Sequence, residues 1–409
     1  MSPASSIAQR AMPGAGAGET PSASSFIAPG ATLGVLGGGQ LGRMFAQAAQ
    51  QSGYRVAVLD PDETSPAGTI AHEHVRAGYL DAAGLARLAE VSSALTTEFE
   101  NVPAEALATL ALKRPVAPAA EAVAICQDRA AEKAAFARAG VACAPYAVLA
   151  SAADLDRVAD ALLPGILKTA RLGYDGKGQR RVESRAELAR AFAELGGVTC
   201  VLEQRLALAA EISVIVARGA AGAIVALPVQ ENVHRDGILA LTRVPAQAVD
   251  DARRSEAVSL AERIAAAIGY VGVLCVELFV LEGGALVANE MAPRPHNSGH
   301  YSIDACDLSQ FDLQVRAMTG APLVAPRLHS PAMMLNLLGD LWFRGGSPAA
   351  VEPLWAPVLA LPGAHLHLYG KRDARAGRKM GHLTLTAASA AAAEAVAREA
   401  AALLGIAAW

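Results

Sequence analysis

The sequence predicts a protein of mixed α/β and α+β class with several domains, and three observations support this. Residues 32–36 form an apolar run that leads into a glycine-rich turn and an apolar-periodic helix, the order of a Rossmann-like unit. Farther along, two β-prone apolar runs flank a Gly-Gly pair, which is typical of a hairpin. Residues 364–369 alternate with period two, which predicts a strand near the C-terminus.

Composition narrows the class of protein. The net charge of −4 over 409 residues gives no general attraction to nucleic acid or membranes. No run of 18 uncharged apolar residues suggests a membrane span. The five cysteines are scattered without metal-binding spacing, so each is interpreted as a small buried side chain in a reducing compartment. We expect a cytoplasmic protein whose partners include neither nucleic acid nor membrane.

Composition also suggests where the domains begin. The first 30 residues are rich in Ala, Ser, Gly and Pro and lack the apolar core of a signal peptide, which predicts a disordered extension; a misassigned start site is equally compatible. Prolines 322, 326 and 331 mark a later boundary. The predicted units are an extension at 1–30, a Rossmann-like domain at 31–125, a central domain at 126–320 with parts at about 126–205 and 206–320, and a β-rich domain at 321–409.

The glycine-rich turn at residues 37–42 follows a predicted strand and opens a predicted helix, and Asp60 closes the next strand. This matches the dinucleotide-binding pattern G-x-G-x-x-G. The same glycines also serve tight packing of a strand against a helix, or a monophosphate at a helix N-terminus. Because no later segment offers a hydride-transfer partner, a nicotinamide site is the less favoured interpretation.

A second candidate segment ends the strand near residue 97 with two acids and an amide, Glu98, Glu100 and Asn101. In open α/β sheets, ligands bind at the carboxyl ends of the strands, so these three residues are candidate pocket residues. The alternative is that Asn101 merely caps the helix predicted after Val102-Pro103.

Two acids define the predicted hairpin of the central domain. If its turn centres on Gly283-Gly284, Glu277 lies directly opposite Glu290. Opposed like charges on apolar strands repel, so they require a cation or a shared proton. Carboxylate oxygens suit Mg²⁺, which completes its coordination with substrate phosphates. The alternative is a solvent-facing pair on an exposed hairpin.

A dense polar run follows this hairpin and comprises Arg294, His296, Asn297, Ser298 and His300. Two prolines keep the run extended rather than helical. Guanidinium and imidazole groups beside a metal pair predict a substrate pocket, since a plain surface loop would not need them.

Two further segments predict phosphate binding. Residues 173–179 hold three glycines, whose backbone N–H groups can approach phosphates, with Lys168 and Lys177 supplying charge. The spacing is not that of a Walker loop, and a plain hairpin at Asp175-Gly176 is the alternative. Five basic residues gather at positions 371–379. A solvated surface and nucleic-acid binding are alternatives there, but a short basic loop in an acidic protein favours one phosphomonoester.

Glu203, at the end of a predicted strand, is a candidate for the ribose hydroxyls or the adenine amine of a nucleotide. Asn232, His234 and Asp236 are predicted to form a further polar turn, with Asp236-Gly237 as a tight turn.

Together these motifs resemble a known family. GYDGKGQ, VELFV with ANEMAPR, and HNSGH are similar to ATP-grasp enzymes. GGGQLGRM, TTEFENVP, LPVQENVHRDGIL and GRKMGHLT resemble, more narrowly, the N5-carboxyaminoimidazole ribonucleotide synthase family of purine biosynthesis. The resemblance covers roughly residues 33–385, with the motifs in the family's order. Residues 205–210 depart from it, because they lack the glycine or other small residues expected between the acids on either side.

The resemblance implies an ATP-grasp fold with an N-terminal Rossmann-like pre-ATP-grasp domain, a lid subdomain and a small β-rich C-terminal domain. It implies a homodimer, two Mg²⁺ ions, and ATP-dependent carboxylation of 5-aminoimidazole ribonucleotide by bicarbonate through carboxyphosphate. Another ATP-grasp ligase (a formate-dependent ribonucleotide transformylase or a biotin carboxylase) remains an alternative, as do an NAD(P)-dependent oxidoreductase and a non-catalytic nucleotide sensor.

The resemblance also implies roles for individual residues. The metal ligands would be Glu277 and Glu290, and the catalytic residues Arg294, His296, Asn297 and Lys177. The implied ATP contacts are Arg129, Lys168, Gly173, Tyr174, Asp175, Gly176, Lys177, Gly178, Gln179, Glu203, Gln204, Leu206, Glu211, His234, Asn289 and Glu290. The implied contacts to the other substrates are Gln40, Leu41, Glu98, Glu100, Asn101, Tyr174, Arg294, His296, Asn297, Ser298, Lys371 and Arg378.

Overall fold

The computed structural model describes residues 26–173, 178–343, 349–407 and 409, and these residues form three sheets with flanking helices. The first sheet is wholly parallel, with strand order β3-β2-β1-β4. Its apolar strands are covered by helices, which confirms the predicted Rossmann-like unit. Its elements are β1 (Thr32–Leu36), α1 (Gln40–Gln51), β2 (Arg55–Leu59), β3 (Glu73–Val75), α2 (Ala82–Val91), β4 (Ala94–Thr97), α3 (Ala104–Ala111) and α4 (Ala120–Cys126).

The segment just before β1 is tied to the fold. The backbone N–H of Ile27 donates to the Thr319 carbonyl at 2.9 Å, and the Tyr54 hydroxyl donates to the Ile27 carbonyl at 2.7 Å. Any disordered extension therefore ends before Ile27. Residues 1–25, on which most of that prediction falls, lie outside the described part of the chain.

The second sheet is antiparallel and small, with order β5-β8-β6-β7. Leu167, Phe192 and Leu202 form part of its own buried core. Its elements are β5 (Tyr146–Leu149), two 3₁₀ helices (Ala152–Arg157 and Asp160–Leu162), β6 (Gly165–Thr169), β7 (Gln179–Val182), α6 (Arg185–Glu194) and β8 (Cys200–Gln204).

The third sheet is the largest, and every strand pair in it is antiparallel. Its order is β14-β13-β9-β11-β12-β15-β17-β16, with β10 on β9. Its first part comprises β9 (Leu208–Arg218), β10 (Ile224–Ala226), β11 (Gln230–Arg235), β12 (Ile238–Val244), α7 (Asp251–Ala267), β13 (Gly272–Leu281), β14 (Leu286–Ala292), a 3₁₀ turn (Asn297–Gly299), α8 (Ser302–Ala305) and α9 (Gln310–Thr319).

The C-terminal strands continue this sheet, because β15 pairs with β12 at Leu335 and Leu241. The β-rich C-terminal unit therefore shares its sheet with the central domain. The strand predicted at residues 364–369 is present, and an Ala-rich final helix covers this strand and its neighbours. The elements are β15 (Ala332–Leu338), a 3₁₀ turn (Gly339–Trp342), α10 (Trp355–Leu359), β16 (Ala364–Leu368), β17 (Lys379–Thr386) and α11 (Ala390–Leu404).

The remaining helix, α5 (Arg129–Arg138), packs on the large sheet rather than on the small one. Ala135 and Phe136 are fully buried in one core with Ile264 of α7 and Val276 of β13. Two polar residues of the same helix, Glu132 and Lys133, contact the backbone of β14. None of the helices in the described ranges combines the length and apolar character that crossing a bilayer requires.

The hairpin β13–β14 has the predicted register at its two acids. Glu277 lies opposite Glu290, which confirms the pairing. The turn differs from the one expected, because pairing beyond the acids is Leu278 with Ala288, one residue out of step. The loop holds three residues instead of two, which shifts the pairing by one position. Asn289 is the extra residue of a β-bulge, and this bulge shifts the pairing back so that Glu277 lies opposite Glu290.

The segment at 230–244 is a hairpin rather than a loop. Asn232 and His234 lie on β11, so their predicted place in a turn is wrong. The turn itself is confirmed at Asp236-Gly237, whose φ angles are 51° and 78°. Two consecutive positive φ values are typical of a type I′ turn, which follows the twist of the flanking strands.

Glu132 is a buried acid of α5 that the sequence analysis did not single out. It is 2% exposed, and its Oε1 accepts a hydrogen bond from the Met291 backbone N–H at 2.6 Å. Burial raises the pKa of Glu132 to about 8, although Lys133 and Arg129 act in the opposite direction. The folded protein therefore holds a proton on this carboxyl that the unfolded chain releases at a lower pH.

This difference predicts a pH-dependent stability. Between the ordinary glutamate pKa of about 4.3 and about 8, the folded state binds more protons, so the free energy of unfolding falls as pH rises. The slope from one group is at most about 1.4 kcal/mol per pH unit. Glu132→Gln keeps the acceptor oxygen and removes the titration. The free energy of unfolding of the variant, relative to that of the unaltered chain, should therefore be higher at about pH 8 than at about pH 5.5.

Urea unfolding at both pH values measures this change. Glu399→Gln on the exposed face of α11 is the matched control and should show the pH dependence of the unaltered chain. A stability difference between Glu132→Gln and the unaltered chain that is equal at both pH values would contradict the prediction.

Candidate active site

The two opposed acids each contact a nitrogen-bearing side chain from another segment. Glu277 Oε1 lies 3.1 Å from His296 Nε2, and Glu290 Oε2 accepts from Arg129 Nη1 at 3.0 Å. Burial acts to raise the pKa of Glu290, but Arg129 and Lys168 lower it to about 2. Glu290 is therefore a carboxylate at any physiological pH, at the meeting point of α5, β6 and the hairpin.

A buried charge cluster lies beside this pair. Lys168 Nζ donates to Glu203 Oε2 at 2.8 Å, and Lys133 Nζ lies 3.1 Å from Glu203 Oε1. All three residues are buried, and the two lysines lower the pKa of Glu203 against the effect of burial. Glu203 thus holds the lysines in place, and its predicted contact with ribose or adenine stays a prediction.

Lys133 is the functional candidate that sequence reasoning missed. Its Nζ also donates to the Asn289 carbonyl at 2.8 Å, so it joins the small sheet's Glu203 to the bulge of β14. The signal was present in its spacing, since Lys133 follows Arg129 by four residues and shares its helix face. Lys133 does not belong to a solvated helix face, because it is 1% exposed.

The glycine loop starts and ends close to these cations. Arg129 Nη2 donates to the Gly173 carbonyl at 3.4 Å, and the Thr169 N–H donates to the Gly178 carbonyl at 2.9 Å. Gly178 has φ +72°, and a Cβ there would lie 2.7 Å from Thr169 Oγ1, so a side chain is excluded. Gln179 begins β7. Tyr174, Asp175, Gly176 and Lys177 lie outside the described residues, and their roles stay predictions.

Two predicted nucleotide contacts from neighbouring strands lie together. His234 Nδ1 is 2.7 Å from Glu211 Oε2. Burial lowers the pKa of His234, but Glu211 and Glu277 raise it more, so the net direction is upward. Gln204 ends β8 and Leu206 lies in the link to β9, both half-buried.

The polar run after β14 is anchored on both sides. Arg294 forms an ion pair with Glu100 of the first domain. Burial acts to raise the pKa of Glu100, but Arg294 lowers it to about 2. His296 Nδ1 lies 2.9 Å from Ser298 Oγ, which lies 2.8 Å from Ser213 Oγ on β9. The predicted pocket residues are thus fixed to two sheets.

Two amides near this run have buried polar atoms without a hydrogen-bond partner. They are Nδ2 and Oδ1 of Asn297 and Oδ1 of Asn289. An unsatisfied buried polar atom is costly unless a ligand or water completes it, so these atoms indicate a binding position. Asn289 directly precedes Glu290, and Glu277 lies opposite Glu290, so this part of the hairpin carries side-chain oxygens of the kind Mg²⁺ prefers.

The first domain's glycine turn is occupied by the chain's own carboxylates. The Gly38 N–H donates to Asp60 Oδ2 at 2.7 Å, and the Gly42 N–H donates to Glu98 Oε2 at 3.1 Å. A Cβ on Gly39 would lie 2.5 Å from Glu98 Oε1, so a larger residue there would push this carboxylate away. A pyrophosphate would have to displace both acids, which argues against the dinucleotide interpretation.

The other predicted substrate contacts of this domain are not equally accessible. Gln40 begins α1 and is half-buried, whereas Leu41 is 7% exposed and packs in the domain core. Asn101 is half-buried after β4, and α3 begins after Pro103 without a side-chain cap. The alternative interpretation of Asn101 as a helix cap is therefore wrong.

The C-terminal basic loop lies against the first domain. Burial and Arg378 lower the pKa of Lys371 to about 8, while Glu98 acts in the opposite direction. Lys371 Nζ donates to the Lys379 carbonyl at 2.7 Å, and Arg378 Nη1 donates to the Asp373 carbonyl at 2.7 Å. A Cβ on Gly370 would lie 3.5 Å from Arg43 of α1. The predicted phosphate-binding loop thus lies against α1, and Lys371 is within electrostatic reach of Glu98.

Comparison with known proteins agrees with this arrangement. Residues 30–127 match the ribonucleotide synthetase preATP-grasp domain, residues 134–311 the ATP-grasp domain, and residues 332–396 the phosphoribosylaminoimidazole carboxylase C-terminal domain. The chain is 42% identical to the N5-carboxyaminoimidazole ribonucleotide synthase of Bacillus subtilis over 88% of its length and 92% of that protein.

Solved structures give the same result. The Staphylococcus aureus N5-carboxyaminoimidazole synthetase complexed with ADP has a TM-score of 0.84 and 39% identity, covering 92% of this chain and 98% of that one. The Aspergillus clavatus enzyme in complex with ADP and 5-aminoimidazole ribonucleotide has a TM-score of 0.83 and 32% identity, with coverage of 92% and 98%. This chain therefore belongs to the N5-carboxyaminoimidazole ribonucleotide synthase family and has the ATP-grasp fold.

Proposed function

We propose that this chain carboxylates 5-aminoimidazole ribonucleotide with bicarbonate at the expense of ATP, giving N5-carboxyaminoimidazole ribonucleotide, ADP and phosphate. The observation that carries the proposal is the grouping of Arg129 on Glu290, His296 on Glu277 and Lys168 on Glu203, all beside the hairpin. The name of the Bacillus subtilis relative and the ligands of the Aspergillus clavatus structure support the choice of substrates.

The nucleotide phosphates would bind at the cations of α5 and β6. Arg129 and Lys168 are already held in position by Glu290 and Glu203, so little reorganisation is needed when the phosphates arrive. Glu277, Glu290 and Asn289 Oδ1 are the oxygen ligands that would hold Mg²⁺. When bound, this ion would neutralise the negative charge on the phosphoryl group that is transferred.

The carboxyl group would be activated next to the polar run. A bicarbonate oxygen attacks the γ-phosphorus of ATP, the bond to the ADP oxygen breaks, and carboxyphosphate forms. Arg294 and Asn297 would orient the carboxyl oxygens. The carboxyl carbon, as carboxyphosphate or as the CO₂ it releases, then accepts the exocyclic amine of the ribonucleotide. Phosphate departs and takes up the proton that the amine loses, and His296 would stabilise the departing phosphate.

The ribonucleotide would lie between the first domain and the basic loop. Lys371 and Arg378 are the cations available to its phosphate, and Glu98 lies close to Lys371. This arrangement accounts for a basic loop in an acidic protein. Magnesium dependence with two ions, a homodimeric state and a cytoplasmic location also belong to this proposal, because the family implies them.

The first test is release of ADP from MgATP and bicarbonate, with and without 5-aminoimidazole ribonucleotide. We expect strong dependence on the ribonucleotide, because the carboxyl acceptor completes the reaction. ATP turnover that is indifferent to the ribonucleotide would overturn the choice of acceptor while leaving the fold assignment intact.

Glu290→Gln tests the metal assignment. The change removes the charge that Mg²⁺ and Arg129 both require, and we expect ADP formation to fall at least about 100-fold with the fold intact. Glu282→Gln, at the exposed tip of the same hairpin, is the matched control and should retain full turnover. Normal turnover in Glu290→Gln would show that this acid does not hold the metal.

Lys371→Met tests the phosphate site. We expect KM for the ribonucleotide to rise about 10-fold or more while KM for ATP is unchanged, since one charge-assisted contact is lost. In the unaltered enzyme, KM should also rise as pH increases through about 8, where Lys371 loses its proton. That rise should be absent in Lys371→Met.

Arg327→Gln, an exposed arginine paired with Asp307, is the control for loss of one positive charge. Equal effects of Lys371→Met on both KM values, or an effect of Arg327→Gln as large as that of Lys371→Met, would argue against a specific phosphate contact.

A further inference from the structure

A cluster of metal-binding side chains lies outside the site described above. Asp304 of α8, His367 of β16 and His382 of β17 each place one ligand atom within 4.8 Å of the other two. His367 Nε2 is 2.9 Å from Asp304 Oδ2, and His365 Nδ1 is 3.7 Å from the other carboxylate oxygen. The carboxylate of Asp304 thus faces two imidazoles of β16, and the ligand atom of His382 on β17 lies within 4.8 Å of it.

His382 is the side chain that this cluster leaves unsatisfied. It is fully buried, its Nδ1 lies 3.0 Å from the Tyr369 hydroxyl, and its Nε2 has no hydrogen-bond partner. When Nδ1 carries the hydrogen and donates to Tyr369, Nε2 presents a bare lone pair. A buried lone pair without a donor is a costly arrangement that a metal ion would satisfy.

The surroundings also fit a metal ligand. A ligating histidine usually donates its other N–H to a neighbouring group, and the Tyr369 hydroxyl is available for that bond. The rings of His367 and His382 are stacked with centroids 4.5 Å apart and an interplanar angle of 10°. Because a metal lies in the plane of each ligating imidazole, one ring must tilt when the ion enters.

We propose that Asp304, His367 and His382 bind one divalent transition-metal ion of the zinc class. Two imidazoles and one carboxylate are a nitrogen-rich donor set, which favours Zn²⁺ over Mg²⁺. Three protein ligands leave a fourth position for water. The site is chemically distinct from the all-oxygen set at Glu277 and Glu290, and it does not rest on the proposed reaction.

Such an ion would join α8 to β16 and β17, which are already paired with each other as neighbouring strands. Asp304 follows the polar run by a few residues, and β17 begins at Lys379, where the basic loop ends. The metal would fasten α8 to β16 and β17, and thereby fix the polar run relative to the basic loop. The expected effect of the ion is a rise in thermal stability.

Zinc binding to the untagged full-length protein tests this proposal. After chelator treatment and dialysis, calorimetric titration with Zn²⁺ should show a site that both His367→Gln and His382→Gln weaken at least tenfold. His367 is only half-buried, so its variant should fold even if the fully buried His382 does not tolerate change. Cobalt substitution should give visible absorption that is lost in the same variants.

Two controls separate this site from other zinc ligands. His329→Gln, an exposed histidine near Ser330, should bind Zn²⁺ as the unaltered chain does. Glu290→Gln should keep the site, because its acid belongs to the other cluster. Zinc binding that persists unchanged in His367→Gln and in His382→Gln, or that is lost in Glu290→Gln alone, would overturn the proposal.

Discussion

The repulsion between two carboxylates on adjacent strands is the constraint on which the rest of the site depends. Directly opposed side chains lie about 5 Å apart, where two like charges cost about 3 kcal/mol at an effective dielectric constant of about 20. Glu277 and Glu290 hold this position in β13 and β14. Partners therefore have to be supplied: Arg129 of α5 brings positive charge to Glu290, and His296 of the polar run contacts Glu277.

The cluster of Lys133, Glu203 and Lys168 carries this constraint into the small sheet. Removing one partner of a buried ion pair typically costs about 3–5 kcal/mol, whereas an exposed pair contributes about 0–1 kcal/mol. Glu203 is 3% exposed, so its bonds to the two lysines belong to the first kind. Because Lys133 also binds the bulge at Asn289, the geometry of the hairpin and the position of Lys168 depend on each other. The bulge is thus a structural feature of the site.

The N-terminal domain and the C-terminal basic loop both contribute residues to the site region. Arg294 reaches Glu100 of the first domain, and Lys371 of the last strands lies near Glu98. The C-terminal strands can reach this place because they extend the central sheet through β12 and β15. Because residues from three sheets form the site, a shift of any one sheet changes its geometry. Short, buried contacts between the sheets limit such shifts.

Local sequence was enough to predict the elements and the chemistry that they carry. The strand-turn-helix at residues 32–51, the hairpin that holds Glu277 and Glu290, and the turn at Asp236-Gly237 follow from periodicity and from glycine, which act over a few residues. Tertiary contacts determined the bulge at Asn289 that sets the two acids opposite each other, the burial of Lys133 and Glu132, the bond between Arg294 and Glu100, and the grouping of Asp304 with His367 and His382. Those features join residues far apart in the chain, and their cost or benefit depends on burial, which no local pattern encodes.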